Sequence, residues 1–213
     1  MRSAISISDE TMTCITGIRL SDGHLQQRSI TGNSRFIFAQ SGVLCLRKRE
    51  KGGASEYFNL ILEIMRPFCN ANYVPYAKEW IDIRFNTINS SISLTTMQLP
   101  CFTSLRNIWY SNSIKIVPLN IKEMLTPLAL AHWIMGDGSK QNEGIHLSVY
   151  AFTPSDVELL ITALLRNERY NIKCYIHATE KGPRIYVNKK NMEILKPLVS
   201  THIVPSMKYK IGL

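Results

Sequence analysis

Two similar segments, far apart in the chain, constrain the fold more than any other feature of the sequence. Residues 15–23 read ITGIRLSDG, and residues 130–138 read LAHWIMGDG. Both segments are short and largely apolar, both carry small residues early, and both end in Asp-Gly. A second echo, Ile-Val-Pro, follows at residues 116–118 and again at residues 203–205. An internal repeat of this kind predicts two halves built on one plan.

Each half is predicted to contain a helix, a hairpin, a second helix, a second hairpin and a last helix. Residues 35–39 alternate between two faces, with Phe36 and Phe38 on one of them, which is typical of a strand with one buried face. Helix starts are indicated near Ser55 and just after Pro154. The expected fold class is α+β, with the order αββαββα occurring twice. The further strands are predicted at 74–86, 91–98, 171–179 and 183–188, the last helices at 105–110 and 192–198, and the halves at 1–118 and 119–213.

The two Asp-Gly helix ends carry the first functional signal. Gly23 and Gly138 are predicted to take the left-handed conformation that commonly closes a helix. Asp22 and Asp137 need another explanation, because a carboxylate beside the negative end of the helix dipole is unfavourable by roughly 0.3–1 kcal/mol. An isolated Asp-Gly is usually only a turn. Two of them in corresponding places indicate that a cation offsets the unfavourable charge.

Small residues in the repeated segments predict how the two carboxylates meet. Thr16, Gly17 and Ala131 would let the two helices approach closely side by side. Parallel packing would bring Asp22 and Asp137 together, where their repulsion would favour a bound divalent cation. Magnesium prefers oxygen ligands and retains water. Such an ion can generate a hydroxide nucleophile and stabilise a leaving oxygen, so the pattern predicts a hydrolytic metal site.

Composition narrows the class of partner. The chain has 25 Lys and Arg against 16 Asp and Glu, a net charge of +9, which favours a polyanion. No window approaches eighteen consecutive apolar residues, and the first dozen residues lack the apolar core of a signal peptide, so neither a membrane partner nor a leader is expected. The five cysteines are scattered and show neither zinc-site nor disulfide-scaffold spacing.

The motifs and their flanks resemble the LAGLIDADG homing endonuclease family, in the branch common in fungal and algal organellar introns. The likeness extends from the motifs to Asp22-Gly23-His24-Leu25, Phe38-Ala39-Gln40, Leu99-Pro100-Cys101-Phe102, Lys115-Ile116-Val117-Pro118, Trp133-Ile134-Met135-Gly136-Asp137-Gly138-Ser139 and Pro205-Ser206-Met207-Lys208-Tyr209-Lys210. The resemblance implies a monomer in which the motif helices form the interface between two pseudo-symmetric halves. It also implies two antiparallel sheets that form a saddle over the DNA major groove.

The resemblance further implies a metal-dependent double-strand break with short 3′ overhangs at an intron-insertion site. Mg²⁺ would be the cofactor, with Mn²⁺ or Ca²⁺ able to occupy the same sites. The repeat places Ala151 opposite Gln40 and His202 opposite Lys115. The implied metal ligands are Asp22, Asp137 and the backbone carbonyls of Ser21 and Gly136, and the implied catalytic residues are Asp22, Asp137, Gln40, Lys115 and Lys210.

Sequence recognition is expected on the strands, because a β-ribbon fits the major groove and each base pair there offers a distinct hydrogen-bonding pattern. The run Arg47-Lys48-Arg49 is interpreted as a phosphate contact or a plain loop, and the three tryptophans as core. The DNA-binding candidates are His24, Gln26, Arg28, Asn33, Arg35, Arg84, Asn86, Lys140, Gln141, His146, Ser148, Tyr150, His177, Thr179, Lys181, Arg184 and Tyr186.

Two departures from the family pattern leave alternatives open. Arg19 occupies a motif position that is normally apolar, so either that helix face is unusually polar or the side chain reaches outward. His132 replaces a usually small residue. An RNA maturase that assists splicing of its host intron is the main alternative function, with intron RNA as partner. A silent DNA-binding regulator is a third, although it would need a fused helix-turn-helix. Encoding within a mitochondrial or other organellar intron is expected from the resemblance.

Overall fold

Helices and strands follow the same order twice along the chain. The computed structural model describes residues 5–41 and 53–213, so the run Arg47-Lys48-Arg49 lies outside the described residues. The first series is α1 (Asp9–Leu20), β1 (His24–Gln26), β2 (Arg35–Ser41), α2 (Gly53–Met65), β3 (Tyr76–Asp82), β4 (Thr87–Thr95) and α3 (Pro100–Trp109). A short hairpin, β5 (Tyr110–Ser111) and β6 (Ile114–Lys115), and the single turn α4 (Ile121–Met124) come next. The second series is α5 (Pro127–Asp137), β7 (Gly138–Gln141), β8 (Gly144–Ser148), α6 (Pro154–Leu165), β9 (Tyr175–Thr179), β10 (Gly182–Val187) and α7 (Lys189–Val199), and a 3₁₀ helix (Pro205–Ile211) follows.

The two hairpins of each series form one four-stranded antiparallel sheet. The strand orders are β1-β2-β4-β3 and β7-β8-β10-β9, which are the same arrangement. The predicted α+β class and the repeated αββαββα order are therefore confirmed. The sequence did not predict the hairpin of β5 and β6, the turn α4 or the final 3₁₀ helix.

The chain forms two compact units, each with one of the sheets. The first contains Asp22–Ser104 and Val204–Met207, and the second contains Ile7–Ser21, Leu105–Ile203 and Lys208–Leu213. Helix α1 thus belongs to the second unit, where it packs against α5. The predicted boundary between residues 118 and 119 stays a prediction.

The core of the first unit lies on one face of its sheet. Phe38 contacts the rings of Tyr57 and Phe58 from α2, with centroids 5.9 and 6.0 Å away. Phe36 stacks with Phe102 of α3 at 6.3 Å. These aromatic side chains are almost fully buried. The predicted alternation along β2 is confirmed, because Phe36 and Phe38 are buried whereas Arg35, Ile37 and Ala39 are not.

The second unit buries the equivalent face of its own sheet. Ile145 and Leu147 of β8, with Ile185 and Val187 of β10, are 1% exposed or less. Helix α6 begins at Pro154, as its sequence indicates, and a capping box between the side chains and backbones of Thr153 and Asp156 fixes that start. The opposite face of each sheet carries polar side chains.

Two of the three tryptophans were placed correctly by the sequence. Trp109 and Trp133 are fully buried, as predicted, whereas Trp80 is 40% exposed and its prediction as core is wrong. Trp80 lies on β3, on the same face as Tyr76 and Lys78. In the part of the chain that the structure describes, no helix combines the length and the apolar composition needed to cross a membrane.

Candidate active site

The two motif helices meet at Gly17. A Cβ atom added to Gly17 of α1 would lie 2.0 Å from the carbonyl oxygen of Ala129 and 2.6 Å from the Cβ of His132, both on α5. Thr16 and Ala131 are buried with it. The predicted close approach through small residues is confirmed. The helix pair is held at a separation that only glycine permits at this position.

Helix α5 ends at the second motif aspartate, and a lysine caps that end. Asp137 is the last helical residue and is partly exposed. The Nζ of Lys210, from the 3₁₀ helix, donates to the carbonyl oxygens of Met135 at 2.6 Å and Gly136 at 3.2 Å, with Ile134 at 3.4 Å. An ammonium group in this place satisfies carbonyls that α5 leaves open and offsets the negative end of its dipole.

The end of helix α1 is built in a similar way. The helix stops at Leu20, and the hydroxyl of Ser21 donates to the carbonyl oxygens of Ile18 and Gly17 at 3.2 and 3.4 Å. The Nζ of Lys115, from β6, donates to the carbonyl oxygen of Ser21 at 3.4 Å. Asp22 follows in an exposed turn, two residues beyond the helix.

A lysine therefore binds the carbonyl that precedes each motif aspartate. Lys115 binds the carbonyl of Ser21, and Lys210 binds that of Gly136. The structural counterpart of Lys115 is thus Lys210, and the sequence alignment that paired Lys115 with His202 does not describe this arrangement. Ser21 and Gly136, which were predicted to offer backbone ligands to metal, accept these hydrogen bonds here. A carbonyl oxygen has two lone pairs, so the second remains for another partner.

Neither Gly23 nor Gly138 takes the left-handed conformation that was predicted for it. Gly138 has φ −70° and ψ 136°, which is extended backbone, so the expectation of a left-handed glycine is wrong there. A Cβ at Gly138 would lie 2.4 Å from the carbonyl oxygen of Ile134. The residue is glycine because the chain leaves α5 and enters β7 close to the last turn of that helix.

Arg19 is buried completely, so its side chain does not reach outward and the buried face of α1 is unusually polar. Its Cζ lies 5.5 Å from the ring centroid of Trp109 and 5.0 Å from that of Tyr110. Burial lowers the pKa of the guanidinium, and the neighbouring Tyr110 acts in the opposite direction. The cation is held by aromatic faces inside the second unit.

His132 is buried against α1, and its environment keeps it neutral. Burial, with a smaller contribution from His202, lowers the pKa of His132 from 6.5 to about 4. Above pH 6.5 the imidazole is neutral in the folded and unfolded chain, so it adds no pH dependence there. As the pH falls from 6.5 to 4, the unfolded chain takes up a proton that the folded chain does not, and the free energy of unfolding declines.

The variant His132→Gln is expected to remove this acid sensitivity. Between pH 7 and pH 5, the part of the loss due to His132 is about 2 kcal/mol, because one pKa unit corresponds to about 1.4 kcal/mol. Urea unfolding at the two pH values measures it. His24→Gln, at an exposed histidine, should keep the dependence of the wild type. A His132→Gln protein that loses as much stability as the wild type would contradict the assignment.

Gln40 presents a buried acceptor. It lies near the end of β2, opposite Ile92 of β4. Its Oε1 is buried and has no hydrogen-bond partner among residues 5–41 and 53–213. A buried amide oxygen is costly to leave unpaired, by about 1–3 kcal/mol, so this atom is suited to accept a hydrogen bond from a bound water.

The polar face of the second sheet holds a connected set of side chains. His146 Nε2 and His177 Nδ1 are 3.0 Å apart, and the ring of His177 stacks on Tyr186 with centroids 4.4 Å apart. Arg184 Nε donates to the hydroxyl of Tyr150. Burial acts to raise the pKa of this phenol, but Arg184, with Thr179 and Ser148, lowers it. The sequence predicted these residues as separate contacts and gave no signal of the network.

The polar face of the first sheet is more open. Arg35 donates from Nε and Nη2 to the Oε1 of Gln26, at 2.9 and 2.6 Å, so the guanidinium is held in place. Asn33 accepts a hydrogen bond from Thr103 at 3.1 Å. Trp80 and Lys78 share this face and were missed, although their alternating positions on the strand are visible in the sequence. His24, Arg28, Arg84 and Asn86 are exposed, and Arg84 pairs with Asp82 at 3.0 Å.

One predicted DNA-binding residue lies on the other side of its sheet. Lys140 is opposite Ile145 in the register of β7 and β8, so it belongs to the face that carries the core. Gln141 shares a face with His146, and Lys181 is exposed in the turn between β9 and β10. Sequence alternation cannot assign the face of a four-residue strand beside a tight turn.

The donors present suit a hard divalent cation. Each motif end offers one carboxylate and one backbone carbonyl, which are oxygen ligands of the type that Mg²⁺ prefers. Among the described residues, no group of three or more His, Cys, Asp and Glu side chains is close enough to form a metal site.

The chain is similar in sequence to two mRNA maturases and in fold to a solved structure. Cytochrome b mRNA maturase bI2 of Saccharomyces cerevisiae is 33% identical over 217 residues, which are 94% of this chain and 47% of that protein. The maturase bI2 of Debaryomyces hansenii is 30% identical over 210 residues, 97% of this chain and 75% of that protein. The chain thus spans about half the length of the first of these relatives. The solved structure of the homing endonuclease I-WcaI bound to its DNA recognition sequence matches with a TM-score of 0.83 at 22% identity, over 97% of this chain and 88% of that one.

The repeated αββαββα fold, with two motif helices that each end beside an aspartate, is typical of one class of proteins. The sequence match identifies the family. The chain belongs to the LAGLIDADG DNA endonuclease family, whose pattern it matches over residues 12–195. The resemblance noted from the motifs is therefore confirmed, and the relatives include proteins described as intron-encoded endonucleases.

Proposed function

We propose that this protein is a DNA homing endonuclease that makes a Mg²⁺-dependent double-strand break with 3′ overhangs at an intron-insertion site. The observation that carries the proposal is the equivalent construction of the two motif ends. In each, an aspartate follows a carbonyl that is bound by a lysine ammonium group. Two equivalent sites suit a reaction that is performed once on each DNA strand.

Asp22 and Asp137 are the proposed metal ligands, together with the carbonyl oxygens of Ser21 and Gly136. A bound divalent ion lowers the pKa of water and stabilises the leaving oxygen of a phosphodiester. The chain's own contribution is to hold these oxygens in place. Lys115 and Lys210 fix the two carbonyls and add positive charge where a phosphate would bind.

Gln40 is proposed to order a water molecule beside the first motif end. Its buried Oε1 lacks a partner among the described residues, which supports a role as acceptor for a water hydrogen. In the register of the two sheets Val149 takes the place of Gln40, rather than the Ala151 that the sequence pairs with it, and neither residue has a side-chain acceptor. We therefore expect the two strands to be cut at unequal rates.

Double-stranded DNA is the proposed partner of the two polar sheet faces. The net charge of +9 supports binding to phosphates, and the arginine, histidine and tyrosine side chains on the strands are suited to base edges. The proposed readers are the predicted candidates other than Lys140. The protein is proposed to act as a monomer, with Mn²⁺ or Ca²⁺ able to replace Mg²⁺ in binding, and to be encoded in a mitochondrial or other organellar intron.

RNA maturation is the second candidate function. Two relatives, which match 94% and 97% of this chain, are named as cytochrome b mRNA maturases. A maturase needs the scaffold and the positive charge, and it does not need the two motif ends to cut DNA. The two functions therefore differ in what the aspartates must do.

Cleavage of the intronless insertion junction separates the two candidates. The duplex joining the exons that flank the chain's own intron would be incubated with the protein and Mg²⁺. We expect both strands to be cut, and no cutting in EDTA. The precursor RNA with the intron would be tested for protein-dependent splicing in parallel. Tight binding of the duplex without cutting in Mg²⁺ or Mn²⁺, combined with splicing of the RNA, would favour the maturase.

Lys210→Met is expected to lower the cleavage rate strongly and the free energy of unfolding only slightly. Losing the ammonium group should lower the single-turnover rate by about a hundredfold and the free energy of unfolding by about 1 kcal/mol. Single-turnover kinetics at saturating protein measures the first, and urea unfolding measures the second. Lys208→Met removes the same charge two positions away and should leave the rate within about twofold. Equal rates for both variants would contradict the role given to Lys210.

A further inference from the structure

We infer that His146 is a positioning residue that fixes the tautomer of His177, so that His177 presents an N–H donor and reads the N7 acceptor of a purine in the major groove. This inference rests on the proposed DNA-binding function and names what one part of that surface recognises. It concerns residues of the second unit only.

The two imidazoles form a hydrogen-bonded pair on the polar face of the second sheet. His146 is on β8 and His177 is on β9, with β10 between the two strands. The Nε2 of His146 lies 3.0 Å from the Nδ1 of His177. Tyr186 of β10 contacts both rings, in a stack with His177 at 4.4 Å and edge-on with His146 at 5.1 Å. The pair is therefore fixed in orientation by a third ring.

The surroundings of the two histidines differ. His146 is only 7% exposed, and its Nδ1 is buried without a hydrogen-bond partner among the described residues. His177 is exposed. Burial, with His177 and then Arg184, lowers the pKa of His146 from its ordinary value of 6.5, so at pH 8 this ring is neutral and carries a single N–H.

That single proton is best placed in the bond between the rings. If Nε2 of His146 carries it, the N–H donates to His177 Nδ1 and only a bare lone pair is left buried at His146 Nδ1. If Nδ1 of His146 carries it, a buried N–H has no acceptor. Orphaned buried N–H groups are rarer in proteins than under-satisfied acceptors. The first arrangement is therefore the stable one.

The consequence for His177 follows from the shape of the ring. Its Nδ1 accepts from His146, so neutral His177 carries its own proton on Nε2. Nδ1 and Nε2 lie on different edges of an imidazole, and the stack on Tyr186 prevents the ring from turning over freely. His177 therefore offers a donor, and no acceptor, on its outer edge. In the major groove the purine N7 is an acceptor and so is thymine O4, whereas the cytosine edge offers only a donor. The inference assigns N7, and a 7-deaza purine tests that choice because it lacks this atom.

The direction of the hydrogen bond is tested first, without DNA. Long-range ¹H–¹⁵N spectra of histidine-labelled protein at pH 8, assigned with single His variants, report which nitrogen carries each proton. We expect a proton on His146 Nε2 and a ¹⁵N–¹⁵N coupling across the bond to an unprotonated His177 Nδ1. A proton on His177 Nδ1 would overturn the inference.

Base reading is tested with duplexes that the wild-type protein selects from a randomised DNA pool. We expect one position with a purine preference of about fivefold to tenfold. Replacing that purine by its 7-deaza analogue should lower the binding affinity of the wild type by the same factor. It should leave the binding affinity of His177→Phe unchanged. His146→Phe should weaken the preference although its own side chain is buried, because His177 loses the hydrogen bond that holds its ring and its tautomer. Phenylalanine keeps the ring contacts with Tyr186, and thermal unfolding checks that both variants are folded.

His202→Phe is the matched control, because it makes the same change at an exposed histidine outside the sheets. It should retain the purine preference in full. A preference that survives in His177→Phe, or that is insensitive to the 7-deaza substitution, would overturn the base reading. A protein that enriches no duplex from the pool would overturn the proposed function as well, while the spectra would still decide the direction of the hydrogen bond.

Discussion

Asp22→Asn and Asp137→Asn are each expected to abolish double-strand cleavage, with a fall of about a thousandfold or more in the single-turnover rate. Asparagine keeps the size of the side chain and removes the charge that would hold a divalent cation. Each variant leaves one motif end without its carboxylate, so a break through both strands is lost in either case. The measurement is product formation from the insertion-junction duplex at saturating protein and Mg²⁺.

The control for charge is Asp9→Asn, in the first turn of α1, where the carboxylate is exposed. It should cleave at the wild-type rate. Both motif variants should still bind the duplex, since asparagine keeps the size of the side chain and one of its acceptor oxygens. If either motif variant cut both strands within about tenfold of the wild type, the aspartates would not be the metal ligands and the proposed mechanism would fail.

The order of the elements was predictable because it depends on local patterns. Alternation in β2 places Phe36 and Phe38 on the buried face, and Pro154 marks the start of α6. The close approach at Gly17 was also predictable, because two helices with small residues at corresponding places have few other ways to pack. Each of these signals is read from a few neighbouring residues and does not need the tertiary structure.

The construction of the motif ends was only partly predictable. Both aspartates and both lysines were found from the resemblance, but the equivalence of Lys115 and Lys210 was not. Lys115 reaches its carbonyl from a short hairpin, and Lys210 reaches its own from a 3₁₀ helix. An alignment of the halves on Ile-Val-Pro pairs Lys115 with His202, because each directly precedes that motif. A position in the alignment does not determine where the end of a side chain lies in the folded protein.

Long-range packing decided the remaining differences. Arg19 is buried because Trp109 and Tyr110 provide aromatic faces for it, and those residues are about ninety positions away in the sequence. The pair of His146 and His177 depends on the order in which β8, β10 and β9 are aligned in the sheet. No pattern within either strand indicates that their side chains touch.

Gly17→Ala is expected to destabilise the protein, against the normal effect of this substitution. In the middle of a helix, alanine is usually more stable than glycine by about 1 kcal/mol. Here the added Cβ would meet the backbone carbonyl oxygen of Ala129 at 2.0 Å, and backbone cannot rotate away as a side chain can. Helices α1 and α5 would have to separate, so we expect the free energy of unfolding to fall by about 3 kcal/mol. Urea unfolding followed by circular dichroism measures it.

Gly32→Ala provides the comparison, since the clash there is of a different kind. Its Cβ would meet the hydroxyl oxygen of Ser29 at 2.6 Å, and that hydroxyl can rotate to another position. The change in stability should stay within about 0.5 kcal/mol. A Gly17→Ala protein as stable as the wild type would mean that α1 and α5 are not in direct contact at this position. The helix pair supports the fold and also positions the two motif ends, and a cleavage assay tests the second role. A shift of the helices by even a few tenths of an ångström moves both motif ends, so the cleavage rate should fall in any Gly17→Ala protein that remains folded.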